Sequence, residues 1–144
     1  VNRNIRRIIE HDHIPVICVG EQASAGKPGL LEVELNAQVT SALYGCPPDK
    51  RYMFAYEPRM SIGTGDALPP SAVVERIEFI KSKIEVLLGR CSSSSVPVLY
   101  GGSVSDTNAK GYLDEPMIDG LLIGGASLEF SQFCQIVRLA NAAS

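Results

Sequence analysis

The chain has 144 residues, of which 45% are hydrophobic, and a formal net charge of -3. That length and apolar content suit one folded domain with a real core and exclude a disordered chain. The acidic balance, with no basic run beyond Arg3–Arg7, excludes a nucleic-acid binder, and no apolar run reaches membrane-spanning length. With no secretory signal pattern either, a cytoplasmic protein is expected. Cys18, Cys46, Cys91 and Cys134 form no C-x-x-C and have no histidines at zinc-finger spacing, so reduced thiols are expected and a metal site is not. Cys18 and Cys134 read as core residues, Cys46 and Cys91 as loop residues.

In chain order, residues 2–11 read as a helix with Ile5, Ile8 and Ile9 on one face and Arg3, Arg6, Arg7 and Glu10 on the other. His11 and His13 flank its end and read as helix-end residues favoured by the negative end of the dipole. Ile14–Val19 is a near-continuous apolar strand, as expected where both sheet faces are covered. Glu21, just after it, reads as a carboxylate holding nearby loop N–H or cationic groups. Leu30–Leu43 follows as a helix with Leu31, Leu35 and Val39 at fourfold spacing and Val33 widening the stripe; Gly45 to Lys50 breaks it.

Tyr52–Tyr56 is the second strand, aromatic and apolar. Ser71–Leu88 is a long helix with Val74, Ile77, Ile80, Ile84 and Leu87/Leu88 on its core face. Val96–Tyr100 is the third strand, and a short helix over 106–113 follows with Ser105 or Asp106 as its N-cap. Met117–Ile123 is the fourth strand, with Asp119 an odd polar insertion. A closing helix from Ser127 or Leu128 to Ala142 carries Phe130, Phe133, Ile136, Val137 and Leu139. Strand, loop and helix thus alternate four times, which predicts a parallel α/β sheet.

Chemistry concentrates at the strand ends. Glu57 stands at the tip of the second strand, and Pro58 stops the ladder at once because it has no N–H to donate. A loop with Gly63 and Gly65 follows. A carboxylate on rigid sheet beneath a glycine loop suits proton abstraction, the loop excluding water; the same residues also suit an acidic strand end before an ordinary turn. Two further strands end in glycine pairs: Tyr100-Gly101-Gly102-Ser103 and Ile123-Gly124-Gly125-Ala126-Ser127. Bare glycine N–H groups at a strand-to-helix turn bind anions.

These stretches, AYEP-x-x-x-IGTG, YGGSV and DG-x-x-IGGASL in that order, resemble the triosephosphate isomerase family, and Val16-Ile17-Cys18-Val19-Gly20-Glu21 is similar to that family's fifth strand. The resemblance implies the C-terminal half, strands five to eight, of a (β/α)8 barrel. Residues 1–144 would then form a single partial domain of about four βα units, with the N-terminal half absent, since a whole barrel needs roughly 250 residues. It implies Glu57 as the base and a lid of Pro58, Arg59, Met60, Ser61, Ile62, Gly63, Thr64 and Gly65. Gly63, Ser103, Gly124 and Gly125 would hold a substrate phosphate. The implied reaction is aldose–ketose isomerisation of a small phosphorylated sugar, glyceraldehyde 3-phosphate and dihydroxyacetone phosphate, in glycolysis and gluconeogenesis, with no metal or organic cofactor. The implied partners are the missing half-barrel or a second copy of the chain, and the family is typically homodimeric.

Two departures stand inside the match. The family's lid usually opens Pro-Val-Trp, whereas here it reads Pro58-Arg59-Met60; the lysine that often follows IGTG is Asp66. The family's strand-one asparagine and lysine and strand-four histidine have no counterpart here, so the chain alone is expected to be inactive. Alternative readings are an isomerase of a four-carbon sugar phosphate, a phosphate-binding barrel that does not need Glu57, and a non-catalytic half-barrel fragment with two open sheet edges.

Overall fold

The apolar periodicity of the first helix fixes how the N-terminal unit packs. Helix α1 (Asn2–Glu10) buries Ile5 and Ile9, and its polar face reaches the end of α2 (Leu30–Leu43). Asn2 Nδ2 donates to the carbonyls of Ala42 (2.8 Å) and Tyr44 (2.9 Å), and Arg6 Nη2 donates to that of Tyr44 (2.9 Å). These bonds satisfy carbonyls that a helix end leaves without partners. The computed structural model describes residues 1–22, 29–61, 66–89 and 96–143.

Three strands, β1 (Val16–Val19), β2 (Met53–Tyr56) and β3 (Val98–Tyr100), form a parallel sheet in sequence order. Among the described residues the further helices are α3 (Pro70–Leu88), the short α4 (Ala109–Leu113) and α5 (Phe130–Ala143). Consecutive parallel strands joined through helices are the arrangement of a partial (β/α) barrel. β1 and β3 are shorter than their apolar runs because a proline precedes each. Pro15 and Pro97 cannot donate to the ladder, yet their carbonyls still accept from Met53 (3.0 Å) and Phe54 (2.9 Å).

The register sorts the side chains into two faces. Ile17, Phe54 and Val98 lie abreast, as do Val19, Tyr56 and Tyr100, and all six are buried under the helices. α2 contributes Leu35, Val39, Ala42 and Leu43 to that layer, and α3 contributes Val73, Ile77, Ile80, Ile84 and Leu88. The α3 stripe thus takes in Val73 as well, with Val74 half-buried against the core, and ends on Leu88 rather than the exposed Leu87, while Val33 of α2 faces outward. On the other face Val16 is half exposed and Cys18 is open, so Cys18 is not a core residue. Cys46 is buried, Cys134 half-buried, and Cys91 lies outside the described residues.

The fourth strand is a correction. Between Met117 and Ile123 the chain makes one bridge, Leu121 opposite Tyr100. It does run parallel beside β3, with Asp119 N–H to Val98 O at 3.2 Å, Tyr100 N–H to Gly120 O at 3.0 Å and Leu122 N–H to Tyr100 O at 2.8 Å. The ladder is interrupted because a side chain takes a backbone place: Asp119 Oδ2 accepts the Val98 N–H at 2.8 Å. The same carboxylate pairs with Lys81 of α3 at 2.7 Å, and Lys81 Nζ also donates to Met117 O at 3.0 Å. The polar insertion in an apolar run is therefore the clasp that ties the last unit to the sheet. Beyond it, α5 buries only Ile136 of its apolar stripe; Phe130, Phe133 and Val137 are exposed, and a cavity of about 390 Å³ opens between Leu121, Ile123 and the helix.

Asp119→Ala should lower stability by about 2 kcal/mol, the scale for losing hydrogen bonds to a charged group. Asp119→Asn keeps an acceptor for the Val98 N–H and should lose less. Urea unfolding of both variants checks this; equal losses would assign the effect to the Lys81 pair alone.

Candidate active site

The parallel ladder continues one residue past the named strands, and this sets the candidate base. Glu57 N–H donates to Val19 O at 2.7 Å and Gly101 N–H to Tyr56 O at 2.9 Å. Glu57 therefore sits between Gly20 and Gly101 at the C-terminal rim. Both neighbours must be glycine. A Cβ on Gly101 would lie 2.8 Å from Glu57 Cγ, and one on Gly20 only 1.7 Å from the Glu57 carbonyl oxygen. The bare Gly101 leaves room for the half-buried Glu57 side chain, and the bare Gly20 leaves room for its backbone carbonyl.

Cys18, on the same inner face, borders Glu57. Partial burial, then the hydrogen bond to Glu57 and its negative charge, push the Cys18 thiol up to about 11. At neutral pH it is a neutral thiol beside the carboxylate. Cys18, Gly20, Glu57 and Arg59 form one wall of a cavity of about 470 Å³ whose other wall includes Val1, Gln38 and Ser41. The cavity lies beside β1, which among the described residues pairs with β2 alone.

Side chains from the outer layer hold this rim. The Gln38 amide bridges the two backbone groups of one residue, accepting from Gly20 N–H and donating to Gly20 O, both at 2.9 Å. Glu34 Oε2 accepts the Gln22 N–H at 2.9 Å. Tyr56 Oη donates to Glu21 Oε1 at 3.0 Å, and Arg59 N–H donates to the Glu21 carbonyl at 3.2 Å. Burial first, then the Glu21 charge and hydrogen bond, push the Tyr56 hydroxyl well above its ordinary value. Glu21 thus holds a hydroxyl through its carboxylate and a loop N–H through its carbonyl.

After Glu57, Arg59–Ser61 form a single 3₁₀ turn. Ser61 is buried, and its carbonyl accepts a hydrogen bond from Ser103 Oγ. Ser103 is itself set by Asn108, whose Nδ2 donates to Ser103 O at 2.9 Å while its Oδ1 accepts Ser105 N–H at 2.8 Å. Asn108, not Ser105 or Asp106, occupies the N-cap position of α4.

The protein-family description that matches this chain is triosephosphate isomerase, over residues 1–140. The chain belongs to the triosephosphate isomerase family. It is 37% identical over 143 residues to the triosephosphate isomerase of Roseiflexus castenholzii, covering 98% of this chain and 56% of that one. It is 37% identical over 140 residues to that of Chloroflexus aurantiacus, covering 96% and 56%. To that of onion yellows phytoplasma it is 34% identical over 143 residues, covering 98% and 52%. The chain thus spans about half the length of the curated relatives it matches.

For a triosephosphate isomerase half, the structure gathers several of the residues singled out by sequence. Glu57 and Ser103 stand at the ends of neighbouring strands, and Ser103 reaches the turn that Glu57 leads into. Gly124 is followed by a second 3₁₀ turn, Gly125–Leu128, with both glycines exposed. Of the lid residues, Pro58 and Ser61 are buried and Arg59 and Met60 exposed; Ile62, Gly63, Thr64 and Gly65 lie outside the described residues. His11 and His13 are exposed at the end of α1, away from this rim. Sequence reasoning missed Gln38, Asn108 and the hydroxyls of Tyr56 and Tyr100. A tyrosine at a buried strand's C-terminal end is the one cue that could have exposed the last two, since a buried hydroxyl must find a partner.

Cys18 should react with iodoacetamide at pH 8.5 about 100-fold more slowly than in the unfolded chain, a two-unit rise in pKa. Because the thiol is held protonated, its reactivity should keep rising above pH 10. Glu57→Gln should speed it several-fold by removing the charge. Peptide-resolved alkylation measures this, and an unchanged rate in Glu57→Gln would separate the two groups.

Proposed function

We propose that this chain carries the base and phosphate-binding half of a triosephosphate isomerase, active once a complementary half-barrel closes the sheet. The observation that supports this most is Glu57 held by backbone bonds on both sides in a slot between two glycines. Such a carboxylate is oriented before substrate arrives. Its task is to take a proton from the carbon beside the carbonyl of a three-carbon sugar phosphate and return it to the neighbouring carbon. Main-chain N–H groups at Gly63, Gly124 and Gly125, with Ser103, hold the phosphate, which suits a protein whose overall field is acidic. The chain supplies base and anion cradle; the cation and the imidazole that polarise the carbonyl come from the complementary half. The reading implies a homodimeric, cytoplasmic enzyme of glycolysis and gluconeogenesis.

The exposed surface supports a partner of that kind. A closed monomer of 15.5 kDa exposes roughly 7,200 Å², whereas this chain exposes 8508 Å². The excess, roughly 1,300 Å², is more than one side of a standard protein interface.

A chimera joining the N-terminal part of the Roseiflexus castenholzii relative to this chain tests the function directly. It should interconvert glyceraldehyde 3-phosphate and dihydroxyacetone phosphate, and Glu57→Gln should lower kcat by about 10²- to 10⁴-fold. The 144-residue chain alone should show no turnover. A folded chimera without activity, or one indifferent to Glu57→Gln, would overturn the proposal.

A further inference from the structure

The sheet is open at both ends, and the two ends match. Met53 N–H donates to Pro15 O and Glu57 N–H to Val19 O, so Pro15, Ile17 and Val19 turn their backbone groups toward β2. Backbone groups alternate in direction along a parallel strand, so those of Val16 and Cys18 point to the free side of β1. The next groups on that side belong to Gly20, and the Gln38 amide takes both. At the far end Tyr100 N–H donates to Gly120 O and Leu122 N–H to Tyr100 O. Gly120 and Leu122 thus face β3, and Leu121 and Ile123 turn their groups the other way. Among the described residues no strand pairs with either edge.

Each edge is also thinly covered. Ile14, Val16 and Cys18 are exposed along the first, which borders the cavity of about 470 Å³. At the second, the exposed Phe133 and Val137 line the cavity of about 390 Å³ together with Leu121 and Ile123. Both edges belong to parallel runs, so the first edge of one copy can add to the last edge of another without a change of direction. Four such runs are half of the eight that close into a barrel whose interior side chains can fill. Two copies about a two-fold axis therefore join twice, and no edge is left open. Each chain exposes roughly 1,300 Å² more than a closed monomer of its mass, and a partner gives roughly 800 Å² to a standard interface.

We propose that two copies of this chain pair edge to edge, Val16 and Cys18 of one with Leu121 and Ile123 of the other, to close one eight-stranded barrel. Gln38 ends each joint at Gly20. The pairing does not depend on the isomerase reading. It gives a second copy the edges that a complementary half would take, so the two occupants exclude each other.

Sedimentation equilibrium of the 144-residue chain should give twice the 15.5 kDa of one copy, falling toward one copy on dilution. Amide exchange on the same samples locates the contact. The Val16, Cys18, Leu121 and Ile123 amides should exchange about tenfold more slowly as the dimer fills. Gly20, held by Gln38, and Phe54 of β2 should not depend on concentration. The Val16 side chain is half exposed in one copy and enclosed in the pair. Val16→Lys should therefore give a monomer in which Phe54 and Ala55 remain protected. A monomer at every concentration, a dimer that leaves the four edge amides unprotected or survives Val16→Lys, or open-ended larger species would each overturn the proposal. The chimera has its edges already filled, so its activity is unaffected by either result and the two readings fail separately.

Discussion

The parallel register of the three strands is the constraint on which the rest depends. Val19, Tyr56 and Tyr100 lie abreast, and the next residue of each strand is Gly20, Glu57 and Gly101. Side chains alternate along a strand, so a slip of one position would send the tyrosines to the inner face and the carboxylate under the helices. The register is fixed by burial: the six residues abreast under the helices are 3% exposed or less. The carboxylate at this strand tip is thus positioned by hydrophobic packing a full layer away from it.

Past the strand tips the ladder runs out, and backbone groups there need other partners. The outer helices supply them. Gln38 of α2 takes both groups of Gly20, Asn108 takes the groups around Ser103, and Tyr112 takes the Leu68 carbonyl. The rim is therefore held from behind. Of these side chains Gln38 lines the cavity that Glu57 borders, while Asn108 and Tyr112 do not.

Much of this was legible in the sequence, and the failures share one physical cause. The α2 boundaries follow from its apolar spacing and the glycine and prolines beyond it, and the Glu57 tip follows from Pro58. Periodicity names an apolar face but not what lies opposite. Val33, Phe130, Phe133 and Val137 read as core, yet all four are exposed, and of that last stripe only Ile136 is buried. Cys18 read as core because its strand is apolar throughout, although only alternate residues face the helices. Asp119 looked like an interruption of a strand because its partners, Val98 and Lys81, come from elsewhere in the chain. Gln38 and Asn108 were invisible for the same reason: a lone amide in a helix or turn looks solvated until tertiary structure sets a peptide against it.

The two faces of the sheet are unequal, and the inequality has a functional side. The helix-facing layer is dry and dense, while on the inner face Val16 is 50% exposed. The apolar area that stabilises this chain is therefore buried almost wholly behind the sheet, where a half-barrel is already complete. On the proposed reading, closure of the inner face would contribute to association instead. The bonds around Glu57 (its own N–H to Val19 O, Gly101 N–H to Tyr56 O, and Gly20 N–H to Gln38) all lie within this chain. A partner arriving at the open edge would meet a base already in place, and would need to bring only the groups that polarise a carbonyl and balance charge. If Glu57 is the base, as proposed, its preorganisation and the assembly of the site would be separate events, one set by folding and the other by binding.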